Sequence, residues 1–174
     1  VPSFDDPAIV AGQGTAGTEI LEQMPEAPRR IIVPCGGGGL ASGIALACPD
    51  SEIVIVEPEG WDDMRRSLEL GEIVPVGVDA PSTLCDALQT PRVSPITFGI
   101  LRERASQALS VTDSEVENAI RWAWDRHQLV VEPGGAAALA ALLAGKVEHV
   151  EGTVVVLSGG KNHPALPAPI VGER

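Results

Sequence analysis

The sequence predicts an α/β domain built on an open, mostly parallel twisted sheet with helices on both faces. Three charge-free, β-branched runs, Ile31-Ile-Val33, Ile53-Val-Ile-Val56 and Thr153-Val-Val-Val-Leu157, read as strands buried on both faces, as parallel sheets require. Helical patterns lie between them, the alternation that makes βαβ units. Two of the runs break directly into glycine, at Gly36-Gly-Gly-Gly39 and at Ser158-Gly-Gly160, and open parallel sheets hold ligands at these carboxyl ends. With 174 residues, 44% of them hydrophobic, residues 1–174 are long enough for one such domain with its own core.

The central segment is Arg30 to Ala45, a strand, a glycine loop and a small-residue helix. Pro34 marks the strand end. Gly36 to Gly39 lack Cβ atoms, so their N–H groups are able to converge on one anion, and the following helix adds its positive N-terminus. That combination suits a phosphate or carboxylate held by backbone. A steric turn would need only one or two glycines. No Lys-Ser or Lys-Thr pair follows, so this is not a Walker loop.

Upstream, Asp5 or Asp6 caps a helix with Pro7 at its first position. Gly12-Gln-Gly-Thr-Ala-Gly17 matches a dinucleotide fingerprint in letters alone. It follows no strand and opens no helix, so its glycines are expected to allow close helix packing or a kink. Downstream of the loop, Glu52 to Glu57 closes a compact βαβ unit at Pro58, and Trp61 to Leu70 reads as a helix ending at Gly71. Glu72 to Val93, with four of its residues proline or glycine and no period, reads as a long loop covering something. Ile96 to Ala105 is expected as a short helix and Ala108 to Val111 as a short strand. Thr112-Asp-Ser-Glu115 is a capping box for a helix ending near Leu129, with Val116, Ala119, Ile120, Ala123 and Trp124 on its inner face. Ala136 to Ala144 forms the next helix, and Pro164 to Arg174 reads as an irregular tail. The chain opens on Val1 with no strand ahead of its first helix, so an upstream segment is expected.

The formal net charge of −12 argues against polyanionic partners such as nucleic acid or an anionic membrane surface. The longest apolar stretch is too short to span a bilayer, and nothing at the start reads as a signal peptide. Cys35, Cys48 and Cys85 are odd in number and unclustered, which argues against a disulfide framework or a zinc site and fits a reducing cytoplasm. His127, His149 and His163 form no hydrolase triad pattern, and Cys35 at a strand end reads as core.

Five motifs together resemble the fold-type-II pyridoxal-phosphate enzymes, in particular the threonine dehydratase and serine racemase group. They are Ala11-Gly-Gln-Gly-Thr15, Val33-Pro-Cys-Gly-Gly-Gly-Gly-Leu40 with Ser42-Gly43, Val56-Glu-Pro58, Glu132-Pro133 with Gly135-Ala-Ala-Ala138, and Val156-Leu-Ser-Gly-Gly160. The resemblance implies that Gly36, Gly37, Gly38, Gly39 and Leu40 bind the phosphate of pyridoxal 5'-phosphate and that Ser158 bonds its pyridine nitrogen. It implies a small amino-acid substrate and a homo-oligomer, a dimer. The Schiff-base lysine of the family lies upstream of the matched region. This chain has only Lys146 and Lys161, so no catalytic residue is assigned and a missing N-terminal part or a companion chain is expected to carry that lysine. Two departures stand out: Ser158-Gly-Gly-Lys-Asn162 where the family has Ser-Gly-Gly-Asn, and Asp86-Ala87 where it has Asp-Gly.

The expected activity is dehydration and deamination of threonine or serine to a 2-oxo acid and ammonia, with serine racemisation as the alternative within the family. A neutral partner such as Ser158 leaves the pyridine nitrogen unprotonated, which favours prompt β-elimination. The rival of another class is a non-catalytic anion- or nucleotide-binding module. A divalent-cation site is also expected after the second strand. Glu57 ends that strand, and the Pro58-Glu-Gly60 turn brings Asp62 and Asp63 back towards it, so hard oxygen ligands suited to Mg²⁺ or Ca²⁺ gather there. By resemblance the ligands are Glu57, the Trp61 carbonyl and Asp63. The competing expectation is that Glu57 is solvated and the two aspartates serve only the helix dipole.

Overall fold

A computed structural model describes residues 3–159 of the chain. The elements in order are α1 (Pro7–Gln23), β1 (Arg30–Pro34), α2 (Gly39–Ala47), β2 (Glu52–Pro58), α3 (Asp63–Leu70), a 3₁₀ turn (Asp86–Leu88), α4 (Pro95–Arg104), β3 (Ala105–Val111), α5 (Asp113–His127), α6 (Pro133–Leu143) and β4 (Thr153–Val155). The four described strands form one parallel sheet in the order β3-β2-β1-β4. This is the α/β architecture that the charge-free runs imply.

Strand alternation sorts the core into two layers. Ile31 and Val33 of β1 and Ile53 and Ile55 of β2 face Ala41 and Ile44 of α2, Met64 of α3 and Leu101 of α4. Ile32, Val54 and Val56 point the other way, onto Val116, Ala119, Ile120 and Ala123 of α5 and the alanines of α6. Helices therefore cover both faces. α1 does not touch the sheet's centre but lies along α2, and small residues set that approach. A Cβ on Gly43 would meet Gly14 N at 2.5 Å and Val10 O at 2.6 Å, and one on Gly17 would meet the Ala47 methyl at 2.7 Å. The Gly12 to Gly17 stretch thus lies inside one continuous helix, where Gly14 and Gly17 allow the close approach to α2.

Local signals set most helix starts. Asp6 accepts from Ala8 N, and Thr112 and Glu115 close both halves of the capping box. Several boundaries differ from expectation. α3 begins at Asp63, two residues late, because the Trp61 indole is drawn away to donate to Pro81 O at 2.7 Å and Asp62 becomes the cap position. α4 ends at Arg104, and β3 starts at Ala105, longer than the expected four residues, because β2 offers it pairing partners from Ile53 to Pro58. α6 starts at Pro133, which is suited to a first turn, and takes in Gly134 and Gly135. α5 stops at His127, and Trp124 is half-buried. The Pro164 to Arg174 tail and Lys161 lie outside the described residues.

The chain runs β1, β2, β3 outward in one direction, and β4 then returns to the other side of β1. Strand order therefore reverses between β1 and β4. Such a switch point opens a crevice at the strands' carboxyl ends.

Candidate functional site

The Gly36 to Gly39 loop leaves β1 at this switch point and opens α2, and Ser158 leaves β4 beside it. Each glycine is there for its own reason. A Cβ on Gly36 would meet Leu88 Cα at 3.1 Å, one on Gly37 would collide with the Phe4 ring, and one on Gly39 would meet Phe4 Cβ at 3.1 Å. Gly38, the cap residue of α2, takes a left-handed conformation with φ of 86°. The four glycines thus pack the loop tightly from behind. Their N–H groups and that of Leu40 meet no acceptor among the described residues, whereas the loop's flanks do: Cys35 N donates to Val56 O at 2.8 Å and Ser42 N to Gly38 O at 2.9 Å. Unpartnered N–H groups at a helix N-terminus are the donor set an oxyanion requires.

The loop forms one wall of a cavity of about 220 Å³. Ser158 forms another, and Phe4, Gln13, Ala87, Leu88 and Thr90 complete it. Ser158 is held by contact with α6. A Cβ on Gly135 would overlap the Ser158 carbonyl, so only glycine lets the β4 turn pass this close. The long loop from 72 to 93 does cover something: its 3₁₀ turn supplies Ala87 and Leu88 to the cavity. Sequence reasoning missed Phe4, Gln13 and Thr90. Nothing local marks them, since they reach the loop from α1, the segment before it and the segment after the 3₁₀ turn.

The neighbouring junction, from β2 into α3, holds the expected acidic group. Glu57 is fully buried, not solvated, and accepts from Met64 N at 3.0 Å and Arg65 N at 2.7 Å. Burial raises its pKa well above the usual carboxylate value, the two N–H groups oppose this, and Asp63 and Asp62 add to it. Asp62 pairs with Arg65, and more loosely with Arg66 at 3.6 Å. Asp63 is buried, and neither carboxyl oxygen accepts a hydrogen bond among the described residues. Burial lifts its pKa to about 6; the dipoles of the Asp63 and Val93 N–H groups and the charge of Arg66 offset this without making a hydrogen bond. Among the described residues no three histidine, cysteine or acidic side chains gather as a metal set, so any cation here would rest on Glu57, Asp63 and a main-chain oxygen. Burial pushes the Cys35 thiol up too, and Glu57 and Asp63 push it further, which removes the thiolate that nucleophilic chemistry needs. No helix among the described residues is long and apolar enough to cross a membrane.

A cavity at the switch point of a parallel sheet, lined by a glycine loop and a helix N-terminus with no lysine or arginine among its lining residues, has the chemistry to suit an anionic ligand. Comparison with known proteins gives the chain's family. Residues 1–159 match the family of pyridoxal-phosphate dependent enzymes. The chain is 38% identical over 165 residues to the L-threo-3-hydroxyaspartate ammonia-lyase of Saccharomyces cerevisiae, covering 92% of this chain and 50% of that protein. It is 37% identical over 164 residues to the serine racemase of Dictyostelium discoideum, covering 90% and 50%. A solved threonine deaminase, from T.th., superposes with a TM-score of 0.86 at 41% identity, covering 92% of this chain and 61% of that one. The chain belongs to the fold-type-II pyridoxal-phosphate dependent enzymes. It spans about half the length of the curated relatives it matches.

Proposed function

We propose that the chain is one part of an enzyme that dehydrates and deaminates a hydroxy-amino acid, threonine or serine, to a 2-oxo acid and ammonia. In this reading it supplies the phosphate and ring-nitrogen sites for pyridoxal phosphate, and the Schiff-base lysine lies outside it. The observation that carries this is the run of N–H groups at Gly36, Gly37, Gly38, Gly39 and Leu40 without an acceptor among the described residues, in a loop that lines one cavity with Ser158. The residues fit the group: five N–H donors and a helix N-terminus suit a phosphate, and a serine hydroxyl suits an uncharged ring nitrogen. Pyridoxal phosphate, when bound, supplies an electron sink for the carbon beside the substrate's amino group. The chain's own residues position it. The glycine loop would hold the phosphate end and Ser158 the ring end, and Phe4 and Leu88 line the cavity between them. The hydroxyl of Ser158 does not protonate the ring, which favours elimination over repeated reprotonation. Racemisation uses the same site and is the second reading, supported by the similarity to the Dictyostelium protein.

The whole enzyme is read as a cytoplasmic homodimer whose remaining part is covalently joined or a companion chain. Three buried, unpaired cysteines support a reducing compartment. Glu57, the Trp61 carbonyl and Asp63 are read as ligands of a structural Mg²⁺ or Ca²⁺, supported by the unsatisfied, buried Asp63 carboxyl. The test of the main reading is twofold. The 174-residue chain should bind pyridoxal phosphate in a spectroscopic titration yet release no pyruvate or 2-oxobutyrate from serine or threonine. Joined to the upstream lysine-bearing part, it should release one of them. Turnover by the chain alone, or no turnover of serine or threonine by the joined protein, would overturn the reading.

A further inference from the structure

Thr90 follows the 3₁₀ turn, and its N–H donates to Leu88 O at 2.9 Å, so its position is tied to the residue that backs Gly36. It lines the cavity formed by the glycine loop and Ser158. Its Oγ1 is inaccessible to solvent and has no hydrogen-bond partner among the described residues. A buried hydroxyl left unpaired is destabilising, and most buried polar atoms in folded proteins find a partner. Other buried hydroxyls among the described residues do so: Ser94 and Thr97 bond each other, and Ser51 donates to Pro28 O. Thr90 stands out because the residue that carries this unpartnered hydroxyl also lines the ligand cavity. The partner that would satisfy it is an acceptor, and the ligand class drawn by five N–H donors is an oxyanion rich in acceptors.

We infer that the Thr90 hydroxyl is a side-chain donor to the phosphate of the ligand held by Gly36 to Leu40, an inference that rests on the cofactor reading above. The backbone donors supply an anion site that any anion of suitable size would enter. A hydroxyl from a separate segment adds a directional contact and couples the 72–93 loop to ligand binding. Binding of a phosphate group would thus fix the segment carrying Ala87 and Leu88, the cavity's remaining wall.

The test uses the 174-residue chain with three probes: inorganic phosphate, pyridoxal 5'-phosphate and pyridoxal, titrated by calorimetry or absorbance. Thr90→Val keeps the shape and removes the hydroxyl, and Thr90→Ser keeps the hydroxyl. The expected result is that Thr90→Val weakens both phosphate-bearing probes roughly tenfold or more, the scale of one hydrogen bond to a charged group, and leaves pyridoxal unchanged. Thr90→Ser should bind nearly as the parent does. Without ligand, Thr90→Val should melt no lower than the parent, since it removes an unsatisfied polar atom; a purely structural threonine would behave the opposite way. Unchanged phosphate affinity in Thr90→Val overturns the inference alone, as does an equal loss for pyridoxal and pyridoxal phosphate with phosphate unaffected. Failure of the parent chain to bind either phosphate-bearing probe overturns the cofactor reading, and this inference with it.

Discussion

Two adjacent strand-to-helix junctions at the carboxyl edge of the sheet solve the same electrostatic problem in opposite ways. Each helix start leaves N–H groups without partners and a partial positive charge. At the β2 to α3 junction the protein supplies its own acceptor: Glu57 reaches forward and accepts from Met64 N and Arg65 N. At the β1 to α2 junction the four glycines provide no side chain, and the N–H groups of Gly36 to Leu40 are left without an acceptor among the described residues. At the first junction these two helix donors are satisfied, and burial raises the pKa of Glu57. The second is incomplete, and a ligand phosphate would complete it. A strand end with an acid is thus structural here, and a strand end without any side chain is where binding is expected.

The largest effect should come from closing the open junction. Replacing Gly37 and Gly38 by alanine drives one methyl into the Phe4 ring and forces another residue to a φ of 86° beside Met64 Cε and Thr97 Cβ, each 3.0 Å away. Binding of pyridoxal phosphate should fall by roughly 100-fold or more, about 2.7 kcal/mol. An unchanged titration would place the ligand elsewhere. Emptying the closed junction comes next: Glu57→Ala strands two N–H groups and opens a cavity in the core, lowering stability by about 3 kcal/mol in urea unfolding. Glu57→Gln should lose distinctly less, because it keeps the shape and one acceptor.

The pH dependence of the closed junction follows from Asp63. Its folded pKa, about 6, lies above the ordinary aspartate value, so between those values the folded state holds a proton that the unfolded state has released. The junction is then most stable below about pH 4 and has lost this contribution once pH has risen through 6. Asp63→Asn should flatten that decline and raise the melting temperature at about pH 7.5, an effect on the order of 2 kcal/mol. Mg²⁺ or Ca²⁺ should do likewise for the parent chain and nothing for Asp63→Asn; a cation effect that survives the substitution removes Asp63 as a ligand. The smallest effect has the opposite slope. Burial raises the Glu115 pKa, but hydrogen bonds from Lys146 and Thr112 outweigh it and leave the group net lowered, so its contribution is present at neutral pH and lost as pH falls through the folded value. Thr112→Ala should cost about 1 kcal/mol at neutral pH, and Lys146→Met less than about 1 kcal/mol. Equal melting temperatures for parent and Thr112→Ala would show that this box adds nothing to α5.

By itself the sequence determined the features whose causes are local. Uninterrupted β-branched runs specify the three core strands, Thr112 and Glu115 specify the start of α5, and four consecutive glycines mark the place where backbone is exposed, because each signal acts through residues within one turn or one strand. Tertiary structure alone decided what each of these features meets. Phe4 decides why Gly37 tolerates no side chain and, with Leu88, crowds Gly39 and Gly36, the Ser158 carbonyl excludes a side chain at Gly135, and pairing with β2 lengthens β3 to Ala105. The burial of Glu57 and the oxygens of Thr90 and Asp63 that lack a partner among the described residues also appear only there. Their physical cause is long-range: whether a polar group is satisfied depends on segments distant in sequence that the fold brings within hydrogen-bond reach, and no local pattern encodes that distance.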